Sequence, residues 1–150
     1  MSEAMEYLMK FQFNDGGRAA AGYSGKTGDC ACRAIAIAAE IPYQQAYDLI
    51  NQFSACERKS KGKNGRSSAS SGVFSATLRR VMDSLGWQWV ACMSIGTGCK
   101  VHLRSDELPS GRIITRVSKH YCAVLDGVIH DTHDCSRNGT RCVYGYWIKP

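Results

Sequence analysis

The order of two hydrophobic periods constrains this fold more than any other sequence feature. Between residues 29 and 86, apolar residues recur at spacings of three and four, as in helices that bury one face. From residue 87 onward the period shortens to two, and turn residues such as Asp126-Gly127 separate short apolar runs, as in β-strands. Helices first and strands second predict an α+β domain with a mostly antiparallel sheet, not an alternating α/β domain.

The pattern predicts three helices. The first begins after Asp29, a good N-cap, and is apolar nearly all round, as a buried central helix would be. The second follows Pro42, and the third starts at residue 71 or 72 and stops at Gly86. Phe11 and Phe13 alternate with polar neighbours as in a short strand, and the later strand candidates are residues 87–92, 99–103, 113–117, 121–125, 128–129 and 143–148.

The 150 residues correspond to one domain, residues 1–150, with a core of its own. We expect residues 1–8 to form a weakly ordered extension and residues 57–71 to form a mobile basic loop. The first residues do not resemble a signal peptide, and no stretch approaches the ~20 apolar residues of a membrane span, so we expect a cytoplasmic protein without a membrane partner. In a reducing cytoplasm, cysteines usually pack, bind metal or act as nucleophiles, and disulfides are not expected.

The chain is basic, with 19 Lys and Arg residues against 13 Asp and Glu residues and a net charge of +6. This balance favours an acidic partner, such as an acidic host protein. The densest basic stretch has no interleaved aromatic residue for base stacking, so nucleic acid is not expected as the primary partner. The alternative interpretation is that this stretch is a solvated connection that binds no partner. The candidate partner-binding residues are Arg58, Lys59, Lys61, Lys63 and Arg66.

Cys30 is the candidate nucleophile. It lies at a predicted helix N-terminus, where unpaired amides and the helix dipole stabilise a thiolate. The preceding loop could bring donors to an oxyanion, which makes Ser24 and Asp29 candidates for the oxyanion hole or the cleft. The alternative is that Cys30 is a small buried residue of the first helical turn.

His120 opens a predicted strand, and Asp131 lies on the return strand of the hairpin that turns at Asp126-Gly127. In such a hairpin, Asp131 comes within reach of His120 if the pairing slips by one or two residues. A carboxylate beside a histidine fixes its tautomer and orientation. With Cys30 on the other side of the ring, the set provides a nucleophile, a base and a group that orients the base.

These residues resemble the papain-like cysteine peptidase superfamily in order and spacing, from Gly28 to Asp131. More narrowly, residues 28–38, 100–109, 120–133 and 144–147 resemble small, mostly uncharacterised proteins of bacteriophages and prophages. The resemblance implies a papain-like fold, in which N-terminal helices with a central Cys-bearing helix pack on a C-terminal antiparallel sheet. It also implies roles for Cys30 as nucleophile, His120 as general base and Asp131 as orienting residue, without a cofactor. The superfamily commonly has a glutamine shortly before the cysteine, and this chain has none there.

A metal site is the rival interpretation of the Cys and His residues. The best local set for tetrahedral zinc is His130, His133, Cys135 and Cys142, around the loop after Asp131. No C-x-x-C pair supports it.

The sequence therefore predicts a phage-encoded cysteine peptidase or amidase that acts on a peptide or isopeptide bond of a host or phage protein, in the host cytoplasm. Two alternatives remain open. One is a non-catalytic phage protein that binds and inhibits a host defence or regulatory factor, and the other is a zinc-stabilised binding module.

Overall fold

The computed structural model describes residues 8–57, 66–94 and 96–150. Within these ranges the chain is a mixed α+β fold of three helices and a six-stranded sheet. No helix of the described ranges is long and apolar enough to cross a membrane. The elements are β1 (Lys10–Phe13), α1 (Cys30–Ala39), α2 (Tyr43–Ser54), α3 (Ser75–Ser84), β2 (Gln88–Ala91), β3 (Arg112–Val117), β4 (His120–Leu125), β5 (Val128–Asp131) and β6 (Gly145–Ile148).

Helix α1 is the central helix that the sequence predicts. Its residues 31–38 are all buried, and its alanines let it approach α2 on one side and strands β3 and β4 on the other. Arg33 is the one charged side chain on this buried surface, and only 8% of the residue is exposed. The helix ends at Glu40 in the left-handed conformation (φ 56°), so the chain turns directly into α2.

The sheet has the order β1-β5-β4-β3-β6-β2, with β1 parallel to β5 and every other pair antiparallel. The helices cover one face, where Ile114, Ala123 and Trp147 join the core of α1. A second core covers the opposite face, where Ile113, Val124 and side chains from the long loops pack together. Burial on both faces explains why the central strands are apolar runs and not strict alternations.

Two local predictions differ from the structure. Residues 99–103 form no strand, and only His102 makes an isolated bridge, to Cys142. Helix α3 begins later than predicted because the backbones of Ser68 and Gly72 pair in a tight turn, and the Ser67 hydroxyl accepts the N–H of Phe74. Residues 67 and 69 are buried at this turn, whereas Arg66 is exposed.

Several predicted features fall outside the described ranges. These are residues 1–7 of the expected extension and, in the basic stretch, Arg58, Lys59, Lys61 and Lys63.

The expectation that the cysteines do not form disulfides is wrong for one pair. Cys99 and Cys142 form a disulfide across 43 residues of sequence. Cys32 and Cys122 are buried free cysteines, and Cys56 is exposed. The disulfide follows from tertiary proximity, because the bridge between His102 and Cys142 brings the two segments together.

Gly145 is required by the contact between β6 and β2. A Cβ atom at this position would overlap the Trp89 ring and come within 2.8 Å of the Val90 carbonyl oxygen. Trp89 in turn packs on Trp147, with ring centroids 4.4 Å apart. The sheet edge therefore closes only because residue 145 lacks a side chain.

Replacing Gly145 with alanine should lower the free energy of unfolding by roughly 1–3 kcal/mol, the usual cost of overpacking. Urea unfolding of the purified variant measures it. The double variant Gly145→Ala/Trp89→Val should recover part of the loss because valine leaves room for the new methyl group. Equal stability of Gly145→Ala and wild type would contradict this account.

Candidate active site

Cys30 is the first residue of α1 and is held there by the preceding loop. The Gly28 N–H donates to the Ser70 carbonyl at 2.7 Å, and the Thr27 hydroxyl donates to the same oxygen at 3.0 Å. A Cβ atom on Gly28 would lie 3.2 Å from the Ser71 carbonyl oxygen, so this close approach favours glycine. The loop thereby fixes the start of the helix that carries the thiol.

His120 and Asp131 meet across the β4–β5 hairpin. The pairing of Ala123 with His130, continued along the strands, places Asp131 opposite Cys122 and two residues from the position opposite His120. Because side chains alternate between faces, this offset keeps His120 and Asp131 on the same face. The His120 Nε2 and Asp131 Oδ2 atoms are 2.6 Å apart. Nδ1 is then the ring nitrogen left for a partner on the other side.

Asp131 also belongs to a buried ionic network that was not expected from the sequence. Its Oδ1 accepts hydrogen bonds from the Thr132 backbone N–H at 2.7 Å and from the Arg33 guanidinium at 3.2 Å. Arg33 donates in addition to Asp29, whose second oxygen accepts the Tyr43 hydroxyl at 2.7 Å. Both carboxylates are nearly fully buried, at 1% and 3% exposure, so Arg33 neutralises charges that water does not reach.

The charges of Cys30 and His120 stabilise each other. Burial acts to raise the pKa of the Cys30 thiol, but hydrogen bonding with His120, the charge of His120, the Tyr121 backbone N–H and the Arg33 guanidinium outweigh it and lower the pKa. Burial likewise acts to lower the pKa of His120, but hydrogen bonding with Asp131, Cys135 and Cys30 outweighs it and raises the pKa to about 11. The favoured state is a thiolate beside an imidazolium ion.

Asp131 remains ionised in this arrangement. Burial acts to raise its pKa, and its interactions with His120, the Thr132 N–H and Arg33 lower it to below the ordinary carboxyl value. An ionised carboxylate on Nε2 orients the ring and stabilises its charged form.

The Cys30 thiol opens into a cleft of about 320 Å³ between the helices and the sheet. Cys30 is partly exposed, whereas Cys32 on the next face of the helix is buried. The thiol is therefore accessible from the space between α3 and β3. The cleft is lined by Cys30, Gly72, Val73, Phe74, Ser75, Arg116, Val117, Lys119, His120, Tyr121 and Tyr144.

The two expected oxyanion residues do not line this cleft. Asp29 faces the buried network, where its oxygens accept from Arg33 and Tyr43, and an ionised carboxylate has no proton to donate. Its side chain makes no cap hydrogen bond either. Ser24 is exposed, and its carbonyl accepts from Arg18 at 3.0 Å.

Sequence reasoning missed Arg33 and Tyr43. One signal for Arg33 was available, because a lone charge on a helix that is apolar all round needs a buried partner. Cys135 was a candidate zinc ligand, and in the structure it contacts Cys122 and His120, which lower its pKa. The sequence did not link Cys135 to these two residues.

The predicted zinc set is not assembled. The sulfur of Cys142 is bonded to Cys99, and the Nδ1 atom of His130 lies 3.2 Å from the side-chain nitrogen of Asn14. Two other groups of potential ligands occur among the described residues, each with ligand atoms within 4.8 Å of one another. They are His120, Asp131 and His133, and Cys122, Asp131 and Cys135.

No protein-family model, curated protein or solved structure matches this chain. A functional interpretation therefore depends on the site's own geometry.

Replacing Arg33 with methionine should lower the free energy of unfolding by about 3–5 kcal/mol, because two buried carboxylates each lose a cationic partner and keep only Arg18 at Asp29 and His120 at Asp131. Chemical denaturation measures it. The matched control is Arg104→Met, which removes more exposed pairs with Asp106 and Glu107 and should lower the stability clearly less than Arg33→Met does. Similar losses in the two variants would contradict the buried network.

The raised pKa of His120 makes its stabilising effect depend on pH. In a Cys30→Ala background, the contribution of protonated His120 should be complete below pH 6.5, its ordinary pKa, and should decline as the pH rises above that value, because Asp131 and Cys135 still raise the pKa. Urea unfolding of Cys30→Ala and Cys30→Ala/His120→Gln at several values between about pH 6 and about pH 9 measures the difference in stability. If the stability difference between the two variants does not shrink as the pH rises, the pKa of His120 is not raised.

Proposed function

We propose that this protein is a papain-like cysteine hydrolase or acyltransferase with Cys30 as nucleophile, His120 as acid and base, and Asp131 as the residue that orients His120. One observation carries the proposal. His120 is hydrogen-bonded to Asp131 through Nε2 and interacts with the Cys30 thiol, at the wall of an open cleft. This is the order of contacts that thiol acyl transfer requires.

The reaction has two stages. The Cys30 thiolate attacks the carbonyl carbon of an amide and forms a C–S bond, while the C=O electron pair moves to oxygen. The C–N bond then breaks, the imidazolium of His120 gives its proton to the leaving amine, and a thioester remains on Cys30. Neutral His120 next removes a proton from water, which attacks the thioester. Release of the carboxylic acid restores the thiolate and the protonated ring.

The first amides of α1 are our candidates for stabilising the oxyanion. The N–H groups of a first helical turn have no partner within the helix, and here they adjoin the nucleophile. They would replace the glutamine that the superfamily commonly uses.

The substrate class we propose is a peptide or isopeptide bond in a protein. The resemblance to bacteriophage and prophage proteins suggests a host or phage protein as the target.

Iodoacetamide should alkylate Cys30 faster than the exposed Cys56 at pH 6, because the lowered pKa of Cys30 increases its thiolate fraction. Peptide mapping by mass spectrometry measures both rates. His120→Ala should slow the Cys30 rate, by about tenfold for each unit by which the pKa of the thiol rises in the variant.

Asp131→Asn provides the graded control, because it keeps the shape of the side chain but not its charge. It should reduce the Cys30 rate less than His120→Ala does. If Cys30 reacts no faster than Cys56, the proposal fails. A Cys30→Ala variant that keeps the full biological effect would favour stoichiometric binding over catalysis.

Metal binding is the second candidate, because both potential ligand groups share Asp131. Zinc held by His120, Asp131 and His133 would occupy the base and its orienting residue, and the chain would then be a zinc-stabilised module. Elemental analysis of freshly purified protein separates the two: one zinc per chain supports the module, and a folded, metal-free protein with reactive Cys30 supports the hydrolase.

A further inference from the structure

A second cleft adjoins the cleft that contains Cys30. It has a volume of about 230 Å³ and shares Ser75 and Arg116 with the first cleft. Its other lining residues are Ala76, Arg79, Trp89 and Trp147. The two clefts therefore form one path that begins at the thiol and continues past Arg116 to α3 and β2.

The charges along this path have one sign. Arg116 lies between the clefts, Lys119 lines the Cys30 side and Arg79 lines the far side. No carboxylate from the described residues lines either cleft. Low-dielectric walls with charges of one sign concentrate ions of the opposite sign.

These cations are unpaired within the described ranges, in contrast to arginines elsewhere. Arg18, Arg33, Arg104 and Arg112 each lie within ion-pair distance of a carboxylate. No described carboxylate lies within that distance of Arg79, Arg116 or Lys119. Arg116 is only partly exposed, so part of its hydration is lost without a charge partner inside the protein.

We propose that the path binds an acidic polypeptide segment next to the bond that Cys30 attacks, with a glutamate or aspartate carboxylate received by Arg116 and Arg79. The inference rests on the proposed function and adds its substrate class. Guanidinium groups match carboxylates in bidentate geometry, and the half-buried Trp89 ring offers an apolar wall beside them. A thiol nucleophile needs a carbonyl carbon, which favours a polypeptide over a nucleic acid as the anionic ligand.

The first test compares two alkylating reagents of similar size, anionic iodoacetate and neutral iodoacetamide. The measured quantity is the ratio of their rates at Cys30, with the ratio at Cys56 as internal reference. In wild type, the ratio of the iodoacetate rate to the iodoacetamide rate should be higher at Cys30 than at Cys56. Salt at about 0.5 M should reduce this excess, because it screens the attraction between the cations and iodoacetate.

The test variant is Arg79→Gln/Lys119→Gln, which removes two exposed charges and leaves Cys30, His120 and Asp131 in place. Its Cys30 ratio should fall about fivefold or more, because each nearby charge contributes on the order of a few-fold to the local anion concentration. The matched control is Arg80→Gln/Lys149→Gln, which removes the same net charge from exposed residues that line neither cleft. The control should keep the wild-type ratio.

The second test uses peptide amides that differ only in one residue near the scissile bond: glutamate, glutamine or lysine. Wild type should cleave the glutamate peptide with the highest kcat/KM. The charge-reversed variant Arg79→Glu should shift the preference towards the lysine peptide, while the Arg80→Glu control should not. The iodoacetamide rate at Cys30 in each variant shows how far the thiol itself is affected, and it should stay at the wild-type value in Arg80→Glu.

The outcomes separate the two proposals. Fast alkylation of Cys30 by both reagents, with a ratio that the Arg79→Gln/Lys119→Gln variant does not change, would overturn the acidic subsite and leave the nucleophile intact. Alkylation of Cys30 no faster than that of Cys56 by either reagent would overturn both. A preference for the glutamate peptide that disappears in Arg79→Glu supports both.

Discussion

The position of Arg33 between two buried carboxylates is the interaction on which the rest of the site depends. Its guanidinium joins Asp29, at the start of α1, to Asp131, at the end of β5. The two aspartates, at positions 29 and 131, are 102 residues apart in the sequence. Because neither carboxylate is stable in that environment without a cation, the helix and the hairpin have one favourable relative placement. The thiol and the imidazole meet as a consequence of that placement.

Within this network, Asp131 both balances the charge of Arg33 and orients the ring of His120. Asp131 faces Arg33 with one oxygen and His120 with the other, so its charge is shared between a structural and a reactive partner. The Tyr43 hydroxyl saturates the far end of the network at Asp29. The hydrogen bond with Asp131 restricts rotation of the imidazole within the low-dielectric interior.

The helices and the central hairpin could be predicted because their signals are local. Helical spacing, Pro42 and the Asp126-Gly127 turn each act over a few residues, and the structure has α1, α2 and the β4–β5 hairpin at those positions. The predicted start of α3 was wrong because the Ser68–Gly72 turn is stabilised by side-chain hydrogen bonds, which hydrophobic periodicity does not reveal. The parallel pairing of β1, the Cys99–Cys142 disulfide and the partners of Arg33 are long-range, and one sequence gives no register for such contacts.

The disulfide has a consequence for how the site assembles. The segment between Cys99 and Cys142 contains β3, β4 and β5, and with them His120 and Asp131, whereas Cys30 lies outside that covalent ring. Closing the ring restricts the unfolded conformations of the sheet segment. The imidazole and its carboxylate thus lie inside one covalent ring, whereas the thiol is joined to them only by the packing of α1 on β3 and β4. The bond between Cys99 and Cys142 therefore secures the His120–Asp131 pair but not its contact with Cys30, which depends on the noncovalent core around α1.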